Sequence, residues 1–567
     1  MERARRWVLP EPGPLPDLGP MPGPIARILV NRGIRTAEEA ERFLAADERL
    51  LEDPFRLADM PAAVDRLLRA IRAGEPIGVY GDADADGLTA TLVLTEALTA
   101  LGGHVLPYIP GRREGVTVEG LRGLAEKGCR VVVTADVGVS AVAEAAFARA
   151  AGIDLIITDH HLPPDTLPAA LAVVNPRRSD QDYGFGDLAG VGVAYKLAEA
   201  VALGMGRRLE AEPLLELVAI GTIADVMPLV GENRYLVRRG LKALAGTRRP
   251  GLRALAGLGR VDLSAPSADM VAFQLAPRLN AASRLGDGIL SFRLLSTRDH
   301  AEARGLAETL ERLNVERQTT VVEAVDRLWP QVESALAAGL SLIFVQVDDC
   351  PPGLLGLLAS RITDAVRRPA VVVAIDGEEG RGSGRSIPEF DLHAALTRLS
   401  QHLTAFGGHR LAAGFNFRRE SLPAIKAGLL ELAEAELAGR DLRPAISVDL
   451  EIPLAELNPG LYPWLERLGP FGHGNPEPRF LSRRVEVLRV EALAGGANGE
   501  GYRLMLGVRG RGRTIAWPAV AFSVSHSPET LYARPWDFVY TVQLNRRRYP
   551  PTQELNIVDL APAETAD

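Results

Sequence analysis

From residue 62 to residue 161 the chain alternates two hydrophobic rhythms. AAVDRLLRAIRA (62–73) repeats apolar residues at helical spacing, whereas IGVY (77–80), VLPYIP (105–110), RVVVTADVG (130–138) and DLIITDHH (154–161) carry short apolar runs that end in polar tips. Ala-rich helical stretches such as 141–151 separate these runs. Short apolar runs bounded by polar residues suit strands buried on both faces, and their alternation with helices predicts a parallel sheet wrapped by helices.

Either side of this block the pattern changes. Residues 1–35 are rich in Pro and Gly and read as an extended arm that packs on something else. Thr36 followed by Glu39 is a capping-box signature, which predicts a short helix to about residue 46. Asp299 to about Ala337 has helical spacing with many charges, and Pro330 is expected to break or kink it. From pattern alone this is either a connector between two lobes or an amphipathic surface helix. LSLIFVQV (340–347) and AVVVAI (370–375), with helical ASRITDAV between them, predict a second α/β lobe to about residue 440. From about Ile446, runs such as RVEVLRVEAL, GYRLMLGV and WDFVYTVQLN alternate with period two and predict a small barrel.

Candidate chemistry gathers at the strand ends. After IGVY come Asp82, Asp84 and Asp86 on alternate residues, then Gly87 opening a helix-like segment. The spacing approaches that of a calcium loop, but Val93 stands where such a loop needs a glutamate. Asp136 ends the third run, Asp159, His160 and His161 end the fourth, and Asp225 follows the apolar stretch of AIGTIADVMPL (219–229). Parallel strands share one C-terminal edge, so Asp82, Asp84, Asp136 and His160 can converge there, with Asp225 as a further carboxylate. Carboxylates packed so closely require a cation. Four Asp and one His suit Mn²⁺ or Mg²⁺ better than zinc, and two ions about 4 Å apart would need bridging carboxylates.

Composition changes this picture little. At 567 residues and net charge −8, the chain is long enough for several domains and carries no global signature of nucleic-acid binding, although a local basic groove is compatible with it. Lysine is confined to Lys127, Lys196, Lys242 and Lys426, so nearly all positive charge is arginine, which we attribute mainly to codon bias. Cys129 and Cys350 lie far apart without Cys/His company, which fits a reducing cytoplasm. No signal peptide or bilayer-length apolar stretch is evident, so neither secretion nor membrane insertion is expected.

GDADADG, TADVG, TDHH and IADVMPL, in this order, resemble the four motifs of the DHH phosphoesterases, named for Asp159-His160-His161. LAGVGVAYKL (188–197), ENRYLVRRG (232–240), APRLNAASRLGD (276–287), LNVERQ (313–318), GSGRS (382–386), FGGHRLAAGF (406–415) and LGPFGHGNPEP (468–478) are similar to the branch that degrades single-stranded DNA exonucleolytically, 5′→3′, to 5′-mononucleotides during repair and recombination. The chain departs from that pattern at Ala83 and Ala85, which are non-ligand positions, at Ser283 in place of glycine, and in CPPGLLGLLASR (350–361), which lacks a Trp-His opening.

The resemblance implies an N-terminal arm and short helix (1–60), a parallel-sheet DHH catalytic domain (61–298), a connector helix (299–337), an α/β DHH-associated domain (338–442) and an OB-fold β-barrel (443–567). It implies two Mn²⁺ or Mg²⁺ ions held by Asp82, Asp84, Asp136, His160 and Asp225. His161 would contact phosphate, and Asp159 would orient the neighbouring imidazole. Arg278, Asn280 and Arg284 would form a substrate or terminal-phosphate pocket. Ser383, Arg385 and His409 would sit on small-residue loops, with His409 reaching the scissile phosphate. In the barrel, Tyr502, Trp517, Arg546, Arg547, Arg548 and Tyr549 are candidates for holding the strand, the arginines foremost. The implied partners are single-stranded DNA, a single-strand-binding protein and a helicase, around a monomer. Rival readings are a DHH phosphoesterase acting on short oligonucleotides or cyclic dinucleotides, which usually ends after the second lobe, and an inactive replication scaffold, which would have lost the acids present here.

Overall fold

The computed structural model describes residues 5–563 apart from 12, 112–114, 286, 494–500, 511–512, 523–525 and 547–548. The chain divides into two compact units, Leu51–Leu442 and Met1–Leu50 with Arg443–Asp567. Residues 1–60 therefore do not stand as a body of their own, because the first fifty belong with the C-terminal part.

In the Leu51–Leu442 unit the four expected strands form as β1 (Pro76–Gly81), β2 (His104–Tyr108), β3 (Val131–Ala135) and β4 (Asp154–Thr158). A fifth, β5 (Ala172–Val174), is three residues long and gives too short an apolar run to be read beforehand. All pairings are parallel, in the order β2-β1-β3-β4-β5. Every residue of β3 is buried, as a sheet covered on both faces requires. Covering helices α1 (Ala85–Ala100), α2 (Gly190–Gly204) and α3 (Glu212–Ala224) are themselves buried around most of their circumference, so their sequences are apolar nearly throughout.

α4 (His300–Ala337) is one continuous helix that runs through Pro330 without ending there. Beyond it, β6 (Ile343–Gln346), α5 (Leu355–Val366), β7 (Ala370–Asp376), β8 (Glu379–Arg385), β9 (Leu403–His409) and β10 (Ala412–Arg418) form the second lobe. Its sheet order is β9-β10-β8-β7-β6. GSGRS and FGGHR, expected as loops, mostly lie in strands: Ser383 and Arg385 are on β8 and His409 ends β9. On β8, Gly382 and Gly380 make room for rings of β10, since a Cβ on Gly382 would enter Phe415 and one on Gly380 would enter Phe417.

In the other unit, five strands close a barrel: β11 (Phe480–Ala492), β12 (Gly501–Gly510), β13 (Arg513–Phe522), β14 (Trp536–Asn545) and β15 (Thr552–Pro562). The order β11-β12-β13-β15-β14 returns to β11, with only β13–β15 parallel among these pairings. The Pro- and Gly-rich N-terminal stretch is not wholly extended. It contains a helix, Gly23–Asn31, whose Ile25, Ile28 and Leu29 join Phe480, Trp536 and Phe538 in the barrel core. The expected Thr36–Glu39 capping box opens the next helix, Ala37–Ala45. Trp517 is buried and belongs to that core, Arg546 pairs with Glu466 at 3.3 Å, and Tyr549 is exposed. Arg547 and Arg548 lie outside the described residues.

Candidate metal centre

The acidic groups come from element ends on one edge of the parallel sheet. Asp82 follows β1, and Asp84 caps α1 by accepting the amides of Asp86 at 3.1 Å and Gly87 at 3.2 Å. Asp136 follows β3, with a left-handed backbone (φ 66°) and its amide bonded to the Thr158 carbonyl at 3.0 Å. A Cβ on Gly190, at the start of α2, would collide with the Asp136 side chain, so only glycine permits this approach. Asp225 arrives from a helix rather than a strand, as the residue that ends α3.

His160 stands at the middle of the set. Its Nε2 lies 3.2 Å from Asp136 Oδ1, 3.5 Å from Asp225 Oδ2 and 3.8 Å from Asp86 Oδ2. Potential ligand atoms fall into three tight groups: Asp82, Asp84 and Asp136; Asp86, His160 and Asp225; and Asp136, His160 and His161. Asp136 and His160 each belong to two of these.

Burial, and then the charges of neighbouring carboxylates, push Asp86 and Asp136 well above the usual carboxylate range. Burial, reinforced by the positive His161, brings His160 down to about 3 and leaves a neutral imidazole suited to a metal. Asp136 Oδ1 and both ring nitrogens of His160 are buried with no hydrogen-bond partner. A divalent cation would satisfy Asp136 Oδ1 and one ring nitrogen of His160, and would offset the repulsion among the acids. The donor set of carboxylates and one imidazole suits Mn²⁺ or Mg²⁺.

Asp159 is a buried anchor, not one of the clustered ligand atoms. Its Oδ2 accepts the Val139 amide at 2.8 Å, and its Oδ1 accepts the His160 amide at 2.7 Å and meets His161 Nδ1 at 2.7 Å. Burial alone would raise this carboxyl, but the bond and charge of His161 outweigh it and hold it below the usual range. Conversely, the bond to Asp159 raises His161 to about 9, so this half-exposed imidazole is cationic at neutral pH.

Asp86, read from sequence only as part of the acidic triplet, is buried within the cluster beside His160 and Asp225. Its two oxygens accept the amides of Gly190 at 2.7 Å and Val191 at 2.9 Å, at the N-terminus of α2. Gly221 of α3 also makes room for it, since a Cβ there would come within 2.7 Å of Asp86 Oδ1.

The expected substrate residues divide. Asn280 Oδ1 accepts the Ala85 amide at 2.7 Å and so braces the acidic turn. Arg278 is held by Glu311 of α4 at 2.5 Å, and Arg284 donates to the Gly353 carbonyl at 3.0 Å, at the junction with the second lobe. Arg385 and His409 both align with Ala412 of β10, which brings these two residues together at one end of the second sheet. Burial lowers Arg385, and His409 is lowered by burial and then by the charges of Arg177 and His161. His409 thus feels the DHH residues across the lobes.

Three family models match the chain: the DHH family N-terminal domain at residues 76–222, the DHHA1 domain at 339–435 and the RecJ OB domain at 448–559. The single-stranded-DNA-specific exonuclease RecJ of Dickeya dadantii is 36% identical, over 89% of this chain and 91% of the relative. The chain belongs to the RecJ family. RecJ of Bacillus subtilis is 39% identical over 84% of this chain, which spans only 60% of that longer relative. The crystal structure of Thermus thermophilus RecJ with Mn²⁺ superposes with a TM-score of 0.82 at 32% identity, covering 99% of this chain and 80% of that one. A second structure of that RecJ contains Mg²⁺. Both structures of that relative hold a divalent ion, and this chain carries groups of carboxylates and imidazoles that could hold one. Among the described residues no helix is long and apolar enough to cross a membrane.

Proposed function

We infer that this protein is a metal-dependent exonuclease that hydrolyses single-stranded DNA from its 5′ end to 5′-mononucleotides. The observation that carries the reading is the convergence of Asp82, Asp84, Asp136, Asp225 and His160, with orphaned ligand atoms on Asp136 and His160, in a chain that also carries the RecJ OB domain. We assign two ions to the site, which Asp82, Asp84, Asp136, His160 and Asp225 would hold. Divalent ions bound there supply a water of lowered pKa and neutralise charge as the phosphodiester breaks.

The protein's own groups do the rest. His161, kept cationic by Asp159, presents a charged donor to the phosphate. Asp86 ties the acidic turn to α2 and fixes the spacing of the ligands. We assign Ser383, Arg385 and His409 to substrate binding from the second lobe, His409 toward the scissile phosphate, and Arg278, Asn280 and Arg284 to the terminal phosphate. Asn280 also shapes the acidic turn. We place the protein in the cytoplasm as a monomer, working beside a single-strand-binding protein and a helicase in repair and recombination.

Timed digestion of one strand labelled at either end, with and without Mn²⁺, tests this reading. Early release of the 5′ label as a mononucleotide is expected, only with the ion. Early loss of the 3′ label would reverse the polarity, and metal-independent release would remove the reading altogether.

A further inference from the structure

Arg317, Arg361 and Arg278 gather where α4 meets the second lobe, and the first two take no part in the site described above. Arg317 lies in the LNVERQ run on α4, Arg361 on α5 and Arg278 on the short helix Ala276–Leu279. Val321, Ala324 and Leu328 of α4 share an apolar core with Leu355, Leu358, Ala359 and Ile362 of α5. Arg317 stands one turn ahead of Val321 and Arg361 adjoins Ile362, so both flank that seam. Arg278 is drawn to the same stretch of α4 by Glu311, which forks onto it at 2.5 and 3.1 Å. Glu311 precedes Arg317 by six residues, about 9 Å of helix rise.

Among the described residues neither Arg317 nor Arg361 forms an ion pair, and Arg278 pairs only with Glu311. Arg317 Nη2 donates to Asn314 Oδ1 at 2.9 Å, while its Nε is buried without a partner. Burial, followed by the charges of Arg361 and Arg278, holds the Arg317 guanidinium below its ordinary range. Glu311 is already engaged in both oxygens by Arg278. Guanidinium groups held in mutual repulsion, one with a buried donor unsatisfied, are arranged for a phosphate.

The turn that Arg278 binds carries an exposed aromatic. Phe273 is 76% exposed on the π-helical turn Val271–Leu275, and Arg278 folds back onto that turn by donating to the Gln274 carbonyl at 2.6 Å. Exposed rings and arginines on neighbouring elements are what hold single strands, with the base stacked and the backbone neutralised.

We propose that Arg317 and Arg361, with Arg278 and Phe273, form a seat for one nucleotide of the single strand outside the metal centre, its phosphodiester on the arginines and its base on Phe273. The proposal rests on the single-strand reading above. A released mononucleotide offers the same groups, so thymidine monophosphate serves as a competitor in the test.

The test measures binding of a fluorescent oligothymidylate to the full chain without divalent ions across a KCl series. Arg317→Ala and Arg361→Ala should each reduce the slope of log K against log [KCl] by about 0.7, and Arg317→Lys should retain it. Phe273→Ala should weaken binding about 5- to 150-fold at an unchanged slope. Arg361 is exposed, so its variant reports even if Arg317→Ala fails to fold in a thermal melt. Wild-type slopes in both folded alanine variants would overturn the seat. So would variants that lose only competition by thymidine monophosphate, which would make it a product site. Wild-type protein that does not bind the strand at all would instead overturn the single-strand reading.

Discussion

Asp136 shows how one residue links sequence, backbone and chemistry. Its left-handed backbone is held by the sheet, its side chain is packed against Gly190, and its Oδ1 is left for a ligand. Asp136→Ala should abolish hydrolysis while leaving the melting temperature without added metal unchanged or higher, because a buried like charge is removed. Near-normal turnover with excess Mn²⁺ would contradict the assignment. Asp86→Asn should weaken Mn²⁺ binding about 10- to 100-fold by calorimetry, through loss of the α2 anchor. Wild-type affinity would make Asp86 incidental. The strand-end acids were legible because each closes an apolar run. The role of Asp86 was not, because its partners are backbone amides more than a hundred residues away.

At the scale of elements, two sequence runs prove to carry architecture. Lys196 of LAGVGVAYKL and Glu232 of ENRYLVRRG meet at 3.0 Å in the interior, where Glu232 also accepts the Glu52 amide and the Tyr183 hydroxyl. Lys196→Met should destabilise the protein by about 3–5 kcal/mol in urea denaturation, since it strands a buried carboxylate. A change below that range would show that the network relaxes. Strand and helix positions followed from periodicity wherever runs were long. Periodicity does not show β5, which is too short, or β8 and β9, whose glycines mimic loops: Gly380 and Gly382 of β8 lie under phenyl rings, and Gly408 of β9 packs against the backbone of Ala412 and Ala413. Pro330 does not end α4: proline removes one helical hydrogen bond, yet the helix continues, with Leu328 and Val332 on either side buried in the second-lobe core.

For the whole molecule, the division of the chain was the least legible feature. Residues 1–50 join the C-terminal barrel through an apolar core that no local pattern announces. A fragment of residues 51–442 should retain cleavage of a saturating short strand but bind long strands more weakly and with a flatter salt dependence, as measured by anisotropy. Unchanged long-strand binding would deny the barrel a role in holding DNA. The central claim is that five ligands from four motifs make a metal-dependent centre that consumes a single strand from its 5′ end. Its most direct test offers one sequence, in Mn²⁺, as a linear strand labelled at either end, as a covalent circle and as a blunt duplex. Early release of the 5′ label as a mononucleotide, with circle and duplex intact, is the predicted result; efficient cutting of the circle, or a 3′ label lost first, would contradict it.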